Sequence, residues 1–239
     1  VLNGMEPNGF LILQNYQKYK KLIVVMEKLF VLPQTFYKFQ CNKNLVDKTL
    51  ELVRKEKCVK MDVNSPYANN RSSNTTLHKE PAYNELTTWF YNCIDEIRKD
   101  LRLQCEKFTI TQCWSNESGY GKSHHQHLHP NSFLSGVFYL NNSNAKTWFC
   151  GKNIWHYFDS QDKVIQVAPE TDCELNLVHT EKTEEGKLII FPSSVLHLVE
   201  PNITSDSIVV PYRYTMSFNA FPSGKIGKMN FLLFFLYEL

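Results

Sequence analysis

Apolar and polar positions along this chain of 239 residues change rhythm once, near residue 108. Upstream the spacing is helical. In Asn44–Lys57, NLVDKTLELVRKEK, Leu45, Leu50 and Val53 fall at roughly helical steps with charges between them, which predicts a surface helix. Over Tyr83–Leu103, the residues Leu86, Phe90, Cys93, Ile94, Ile97 and Leu101 recur every three or four positions and predict a second helix. Between the two, residues 62–82 are rich in Asn, Ser, Thr and Pro, and NSPYANNRSSNTT is the strongest loop signal. From Phe108 onward come short runs of β-branched and aromatic residues: FTITQCW, FLSGVFYL, KTWFC, CELNLVH, KLIIF, VLHLV and RYTMSF. Many short strands without interleaved helices predict a mainly β domain, an antiparallel sandwich or barrel with the jelly roll among the common solutions. The expected organisation is an extension over 1–25, a helical segment over 26–107 packing on the core, and a β-rich core over 108–239. No internal repeat is visible.

Composition narrows the function classes. With 43% hydrophobic and 13% aromatic residues the chain can bury a sizeable core, which excludes a mainly disordered protein. A net charge of +2 gives no electrostatic footprint for nucleic acid or an anionic membrane, so stable binding to either is not expected. The seven cysteines, Cys41, Cys58, Cys93, Cys105, Cys113, Cys150 and Cys173, include no CxxC pair. That argues against a disulfide framework or a four-cysteine zinc site and for reduced thiols in a cytoplasm. The apolar run in YKKLIVVMEKLF and the terminal NFLLFFLYEL are both too short to span a membrane; the latter is expected to be a buried terminal strand or helix.

Candidate chemistry concentrates in SHHQHLHP, residues 123–130, which holds four of the eight histidines. On a straight strand His125, His127 and His129 share one face and His124 takes the other. Same-face neighbours lie about 6.6 Å apart and imidazole–metal bonds are about 2 Å long. One neighbouring pair can therefore converge on an ion, either His125 with His127 or His127 with His129, but not all three. The remaining histidine would lie behind the ligands or face a substrate. His197, in IIFPSSVLHLVEP, is the best third ligand from another strand, although a histidine in such a run is more often a hydrogen-bonded core residue. His78, His156 and His179 are isolated and receive no role. Arg213, inside PYRYTMSFN, is expected to be partly buried, and a buried guanidinium calls for an anionic partner. A structural salt bridge would satisfy it. So would a bound carboxylate held bidentately, with Thr215, two positions on, adding a hydroxyl.

The order HxH, FYLN, a histidine after GKLIIFP, and Arg in RYTMSFN resembles the Fe(II)/2-oxoglutarate-dependent oxygenases, especially a phage-associated group with an HxHPNSxxSGVxY segment. The stretch HLHPNSFLSGVFYLN, His127 to Asn141, carries the likeness most specifically; FPSSVLH and RYTMSFN agree in order and composition, and weaker similarity extends over roughly 26–225. The resemblance implies a double-stranded β-helix, Fe(II), 2-oxoglutarate as co-substrate and a hydroxylase of unidentified substrate, located in the cytoplasm, that of the host cell if phage-encoded. It matches His127 and His197 to the iron-binding histidines and places His129 where an Asp or Glu is usual. Arg213 matches the arginine that pairs with the far carboxylate of 2-oxoglutarate, and Tyr139 and Thr215 match hydroxyls that assist it. His125, Asn131 and Ser135 are expected behind the ligands or facing substrate.

The sequence departs from the family at two points. The usual facial triad is two histidines and a carboxylate, so a missing acid would come from elsewhere, with Glu117, Asp159 and Asp162 as candidates, or the position would be open as in related halogenating enzymes. The gap from His197 to Arg213 is also longer than usual, and NITSDSIVVP reads as an inserted loop. Two other readings compete. A non-catalytic metal-binding β-sandwich, a virion or binding module, has no need of Arg213 and Tyr139 in register. A three-histidine, cupin-like dioxygenase that does not use 2-oxoglutarate explains the histidines and leaves Arg213 unexplained.

Overall fold

In the computed structural model the described residues are 10–14, 23–27, 35–150, 178–203, 212–227 and 235–236. The chain divides into two compact units, Val1–Thr35 and Phe36–Leu239. In the first, β1 (Phe10–Gln14) and β2 (Ile23–Glu27) pair antiparallel.

Both expected helices form in the second unit. Asn42 caps α1 (Lys43–Val53), its side-chain oxygen accepting from the Leu45 amide at 2.9 Å. The helix stops four residues short of Lys57, because the chain turns there into β4 (Cys58–Lys60). Helix α2 (Asn84–Asp100) buries Leu86, Phe90, Cys93, Ile94 and Ile97, as the periodicity predicts, and places Arg98 and Lys99 in its last turn, where the helix dipole favours cations. The loop-rich stretch 62–82 holds short β5 (Asn70–Ser72) and two single turns of 3-10 helix.

The remaining strands are β3 (Tyr37–Gln40), β6 (Cys105–Ser118), β7 (His124–His127), β8 (Leu134–Tyr139), β9 (Ser143–Cys150), β10 (Val178–Thr183), β11 (Lys187–Pro192), β12 (Leu196–Val199), β13 (Arg213–Ile226) and β14 (Phe235–Leu236). They form a large sheet, β3-β11-β8-β13-β6-β5-β4 with β14 on β13, and a small one, β10-β9-β12-β7. All the strand pairings are antiparallel, the arrangement of a jelly roll.

The central strands of the large sheet, β11, β8 and β13, are buried on both faces, which is why they read as nearly continuous apolar runs rather than as alternations. On β11, Leu188 and Ile190 join the helices in one core, while Ile189 and Phe191 join Tyr139, Phe149 and Val195 in another. On β13, Tyr214, Met216, Phe218 and Ala220 face the helices. That leaves Arg213, Thr215 and Ser217 pointing the other way, into a cavity between the sheets. Strand β6 changes face along its length. Asn219 pairs with Gln112 but Ala220 with Ile110, so Thr111 is an extra residue, and a bulge of this kind reverses the alternation. Phe108 and Ile110 therefore lie on the helix side with Cys113, while Trp114 and Asn116 line the cavity.

Six cysteines among the described residues are free thiols. No described helix is long and apolar enough to cross a membrane. Asp159, Asp162, His156, Cys173 and most of NITSDSIVVP lie outside the described residues.

Candidate metal centre

A second bulge builds the histidine cluster. Strands β7 and β12 pair with His127 opposite His197 and His124 opposite Val199, three steps on one strand against two on the other. The extra residue turns His124 to the same side as His127, and their rings stack with centroids 4.0 Å apart. Strict alternation had placed His124 apart and His125 with His127 and His129; the bulge overturns that parity. The His125 side chain is exposed, and its contribution is a backbone carbonyl that accepts from His127 Nδ1 at 2.9 Å. His129 lies past the end of β7, its amide donating to the Ser193 carbonyl at 3.0 Å.

The result brings His127, His129 and His197 together, one nitrogen from each lying within 4.8 Å of the others. His197 Nδ1 donates to the Val195 carbonyl at 2.9 Å, as His127 Nδ1 does to that of His125. Both rings thus hold their proton on Nδ1 and present the Nε2 lone pair inward, the orientation a metal ligand needs. His129 Nε2 and His197 Nε2 are 3.3 Å apart, a gap that two bonds of about 2.1 Å to one ion would span. Burial, followed by the neighbouring histidines, lowers the pKa of His197 to about 3 and that of His129 to about 4. His127 is also lowered, chiefly by burial. The three imidazoles are therefore neutral at neutral pH, the form that binds metal. A divalent cation fits this donor set.

The same cavity contains Arg213, which is 3% exposed. Its Nη2 donates to Ser118 Oγ at 3.4 Å, while Nε and Nη1 have no partner among the described residues. Burial lowers its pKa to about 10, so it is still charged at neutral pH. No carboxylate is among the described residues lining this cavity. Of the two partners considered for Arg213, a structural salt bridge is not found among the described residues, and the enclosed cation faces a cavity lined with hydroxyls. Tyr139, fully buried, bonds Thr147 Oγ1 at 2.8 Å; if the threonine donates, the phenolic proton is free for a ligand. Thr215 Oγ1 accepts from Asn116 Nδ2 at 3.1 Å, which leaves its own O–H free to donate. Asn116 is oriented in turn by Trp114 Nε1, which donates to its Oδ1 at 3.1 Å. An anionic ligand fits this end of the cavity as a cation fits the other.

The remaining expected residues sit outside the cavity lining. Asn131 is exposed, on the turn after His129, with φ of 59°, a left-handed conformation that asparagine tolerates. Ser135 is buried and bonds Asn219 Oδ1 at 2.9 Å and Ser193 Oγ at 2.8 Å. It thereby ties β8 to the residue whose carbonyl receives the His129 amide. Glu117 follows the inward Asn116 on β6 and faces away, bonding Asn70 and Tyr214.

Sequence reasoning missed His124, Asn116, Thr147 and Asn69, all of which line the cavity. Asn116 and Thr147 carried a signal, being polar residues at inward positions of alternating strands. His124 was hidden by the bulge, and Asn69 by a loop with no periodicity.

Residues 112–219 match the family model described as "Putative 2OG-Fe(II) oxygenase", 2OG being 2-oxoglutarate. No curated sequence matches the chain. Among solved structures, a prolyl-4-hydroxylase from Pseudomonas putida superposes with a TM-score of 0.53 at 14% identity, over 78% of this chain and 92% of that one. The 2-oxoglutarate-dependent epimerase SnoN of nogalamycin biosynthesis gives 0.57 at 10% identity, over 80% of this chain and 79% of that one. The carbocyclase SnoK of the same biosynthesis gives 0.55 at 10%, over 78% and 79%. At such identities the likeness is one of fold, and it agrees with the two antiparallel sheets. Residues 112–219, the β core that carries the histidines and Arg213, are thus similar to the 2OG-Fe(II) oxygenases.

Proposed function

We propose that the chain hydroxylates an unidentified substrate, with His127, His129 and His197 holding the iron and Arg213, Tyr139 and Thr215 holding the far carboxylate of 2-oxoglutarate. One observation carries the reading: three neutral imidazoles and a buried arginine with two unpartnered nitrogens share one cavity whose described lining has no carboxylate. A dianionic keto acid supplies the charge that this cavity otherwise lacks. The iron and keto acid together supply the oxidising chemistry, drawing on dioxygen and yielding succinate and carbon dioxide.

The chain's own residues bind, orient and shield. The Arg213 guanidinium anchors the carboxylate as a charge-assisted fork. The Thr215 and Tyr139 hydroxyls donate to it, each oriented by a neighbouring polar group. His129 occupies the usual carboxylate position, so the three protein ligands bring no negative charge. Apolar neighbours such as Phe191 and Val137 exclude water from the lining. Hydroxylation is the outcome that the sequence resemblance implies.

The three-histidine set also suits a dioxygenase that does not use 2-oxoglutarate, but that reading leaves the Arg213 fork without a partner. Anaerobic titration of the metal-free protein with Fe(II) and then 2-oxoglutarate, followed by oxygen, separates the two. The expected result is a visible metal-to-ligand band and then succinate. Bound metal with neither band nor succinate would exclude the 2-oxoglutarate reading.

A further inference from the structure

Asn69 is 1% exposed, lines the cavity, and has no hydrogen-bond partner for either Oδ1 or Nδ2 among the described residues. An amide buried unpaired gives up its hydrogen bonds to water with nothing in return, so a side chain kept in that state is suited to a ligand that completes it. The fold does not need the side chain to hold the residue in place. The Asn69 amide donates to the Ser123 carbonyl at 3.2 Å, and its carbonyl accepts from the Met61 amide at 3.0 Å. The backbone is pinned on both sides and the side chain is left unbonded.

Strand register shows what the side chain faces. Asn70 pairs with Glu117 and Arg71 with Asn116, so Asn69, one residue before β5, stands level with Ser118. Ser118 is itself paired with Arg213 on its other side. Asn69, Ser118 and Arg213 thus form one row across three neighbouring chain segments, and residues in such a row share a face. Strands are spaced by about 4.8 Å, so the row spans roughly 10 Å from Asn69 to Arg213. A carboxylate between them would meet donors from both ends. Arg213 already reaches the middle of the row, at Ser118 Oγ.

We propose that Asn69 is a ligand-binding residue, its amide N–H donating to the same carboxylate that Arg213 anchors. It would come from the loop-rich stretch upstream of the matched family segment. The assignment rests on the proposed 2-oxoglutarate site and extends it: the keto acid is gripped from the N-terminal stretch as well as from the β core.

The test is anaerobic titration of the Fe(II)-loaded protein with 2-oxoglutarate and with 2-oxobutyrate, a keto acid without the far carboxylate. Wild type, Asn69→Ala and Asn69→Asp are compared, and the metal-free forms are melted in parallel. Asn69→Ala should weaken 2-oxoglutarate roughly tenfold or more, the scale of one hydrogen bond to a charged group. Asn69→Asp, which sets a like charge beside the carboxylate, should weaken it further. Both variants should bind 2-oxobutyrate as the wild type does, and Asn69→Ala should melt no lower than the wild type without ligand. Unchanged 2-oxoglutarate binding would overturn the assignment, as would equal losses for the two acids or a large drop in melting temperature for Asn69→Ala. Wild-type protein that binds Fe(II) but gives no response to 2-oxoglutarate would instead overturn the proposed site itself, and Asn69's role with it.

Discussion

Replacing Arg213 with methionine removes the charge and its donors while keeping much of the volume, and it should move stability and ligand binding in opposite directions. Burial lowers the arginine well below its ordinary value, to about 10. Its folded-state pKa therefore lies below its unfolded one, so the charged form is disfavoured in the fold at every pH below about 10, and the penalty is fully present at neutral pH. At 1.36 kcal/mol per unit, that penalty is on the order of 3 kcal/mol. The bond to Ser118 offsets about 1 kcal/mol of it. Without ligand, Arg213→Met should accordingly be stabilised by about 2 kcal/mol, raising the melting temperature by roughly 4–8 °C for a domain of this size.

With ligand the sign reverses. Nε and Nη1 each offer a hydrogen bond of about 1.5–3 kcal/mol to a carboxylate. Together these give a loss between roughly a hundredfold and ten-thousandfold in 2-oxoglutarate affinity. Anaerobic titration of the Fe(II) form, read by the visible band, measures the second effect, and thermal melts of the metal-free protein measure the first. Iron affinity should stay unchanged. A variant that loses iron, or melts well below the wild type without ligand, would refute the reasoning and mark Arg213 as a structural group.

Other perturbations separate the remaining roles. His129→Ala should cost at least tenfold in Fe(II) affinity by equilibrium dialysis, whereas His125→Ala, which keeps the carbonyl that orients His127, should change it less than about twofold. Trp114→Phe removes the N–H that fixes Asn116 and so loosens Thr215; 2-oxoglutarate affinity should fall about fivefold with iron affinity unchanged, read in the same titration. A Cβ at Gly136 would sit 2.4 Å from the Phe218 ring, so Gly136→Ala should destabilise the fold by about 1–3 kcal/mol in denaturant melts.

Much of this architecture was legible in the linear sequence. Spacing marked both helices because each buries a single face, and a one-sided pattern survives in the sequence whatever it packs against. Short β-branched runs after residue 108 marked the strands, although two-sided burial of β11 hid which residue faces which core. His127, His197 and Arg213 were recognisable as candidates because imidazole and guanidinium within apolar runs are chemically conspicuous. Where they would meet depended on register between distant strands, and two bulges decided it. One turned β6 so that Asn116 points at Thr215; the other turned His124 toward His127, against simple alternation. A single inserted residue leaves no mark in composition or period, because its effect exists only relative to the partner strand. Asn69 is the extreme case. Its residue type predicted only a loop, and its place in the row with Ser118 and Arg213 comes from pairing between segments far apart in the sequence. The sequence by itself determined which elements form and which side chains carry chemistry. The tertiary structure alone decided which of them share a cavity, because that depends on how strands far apart in the chain align.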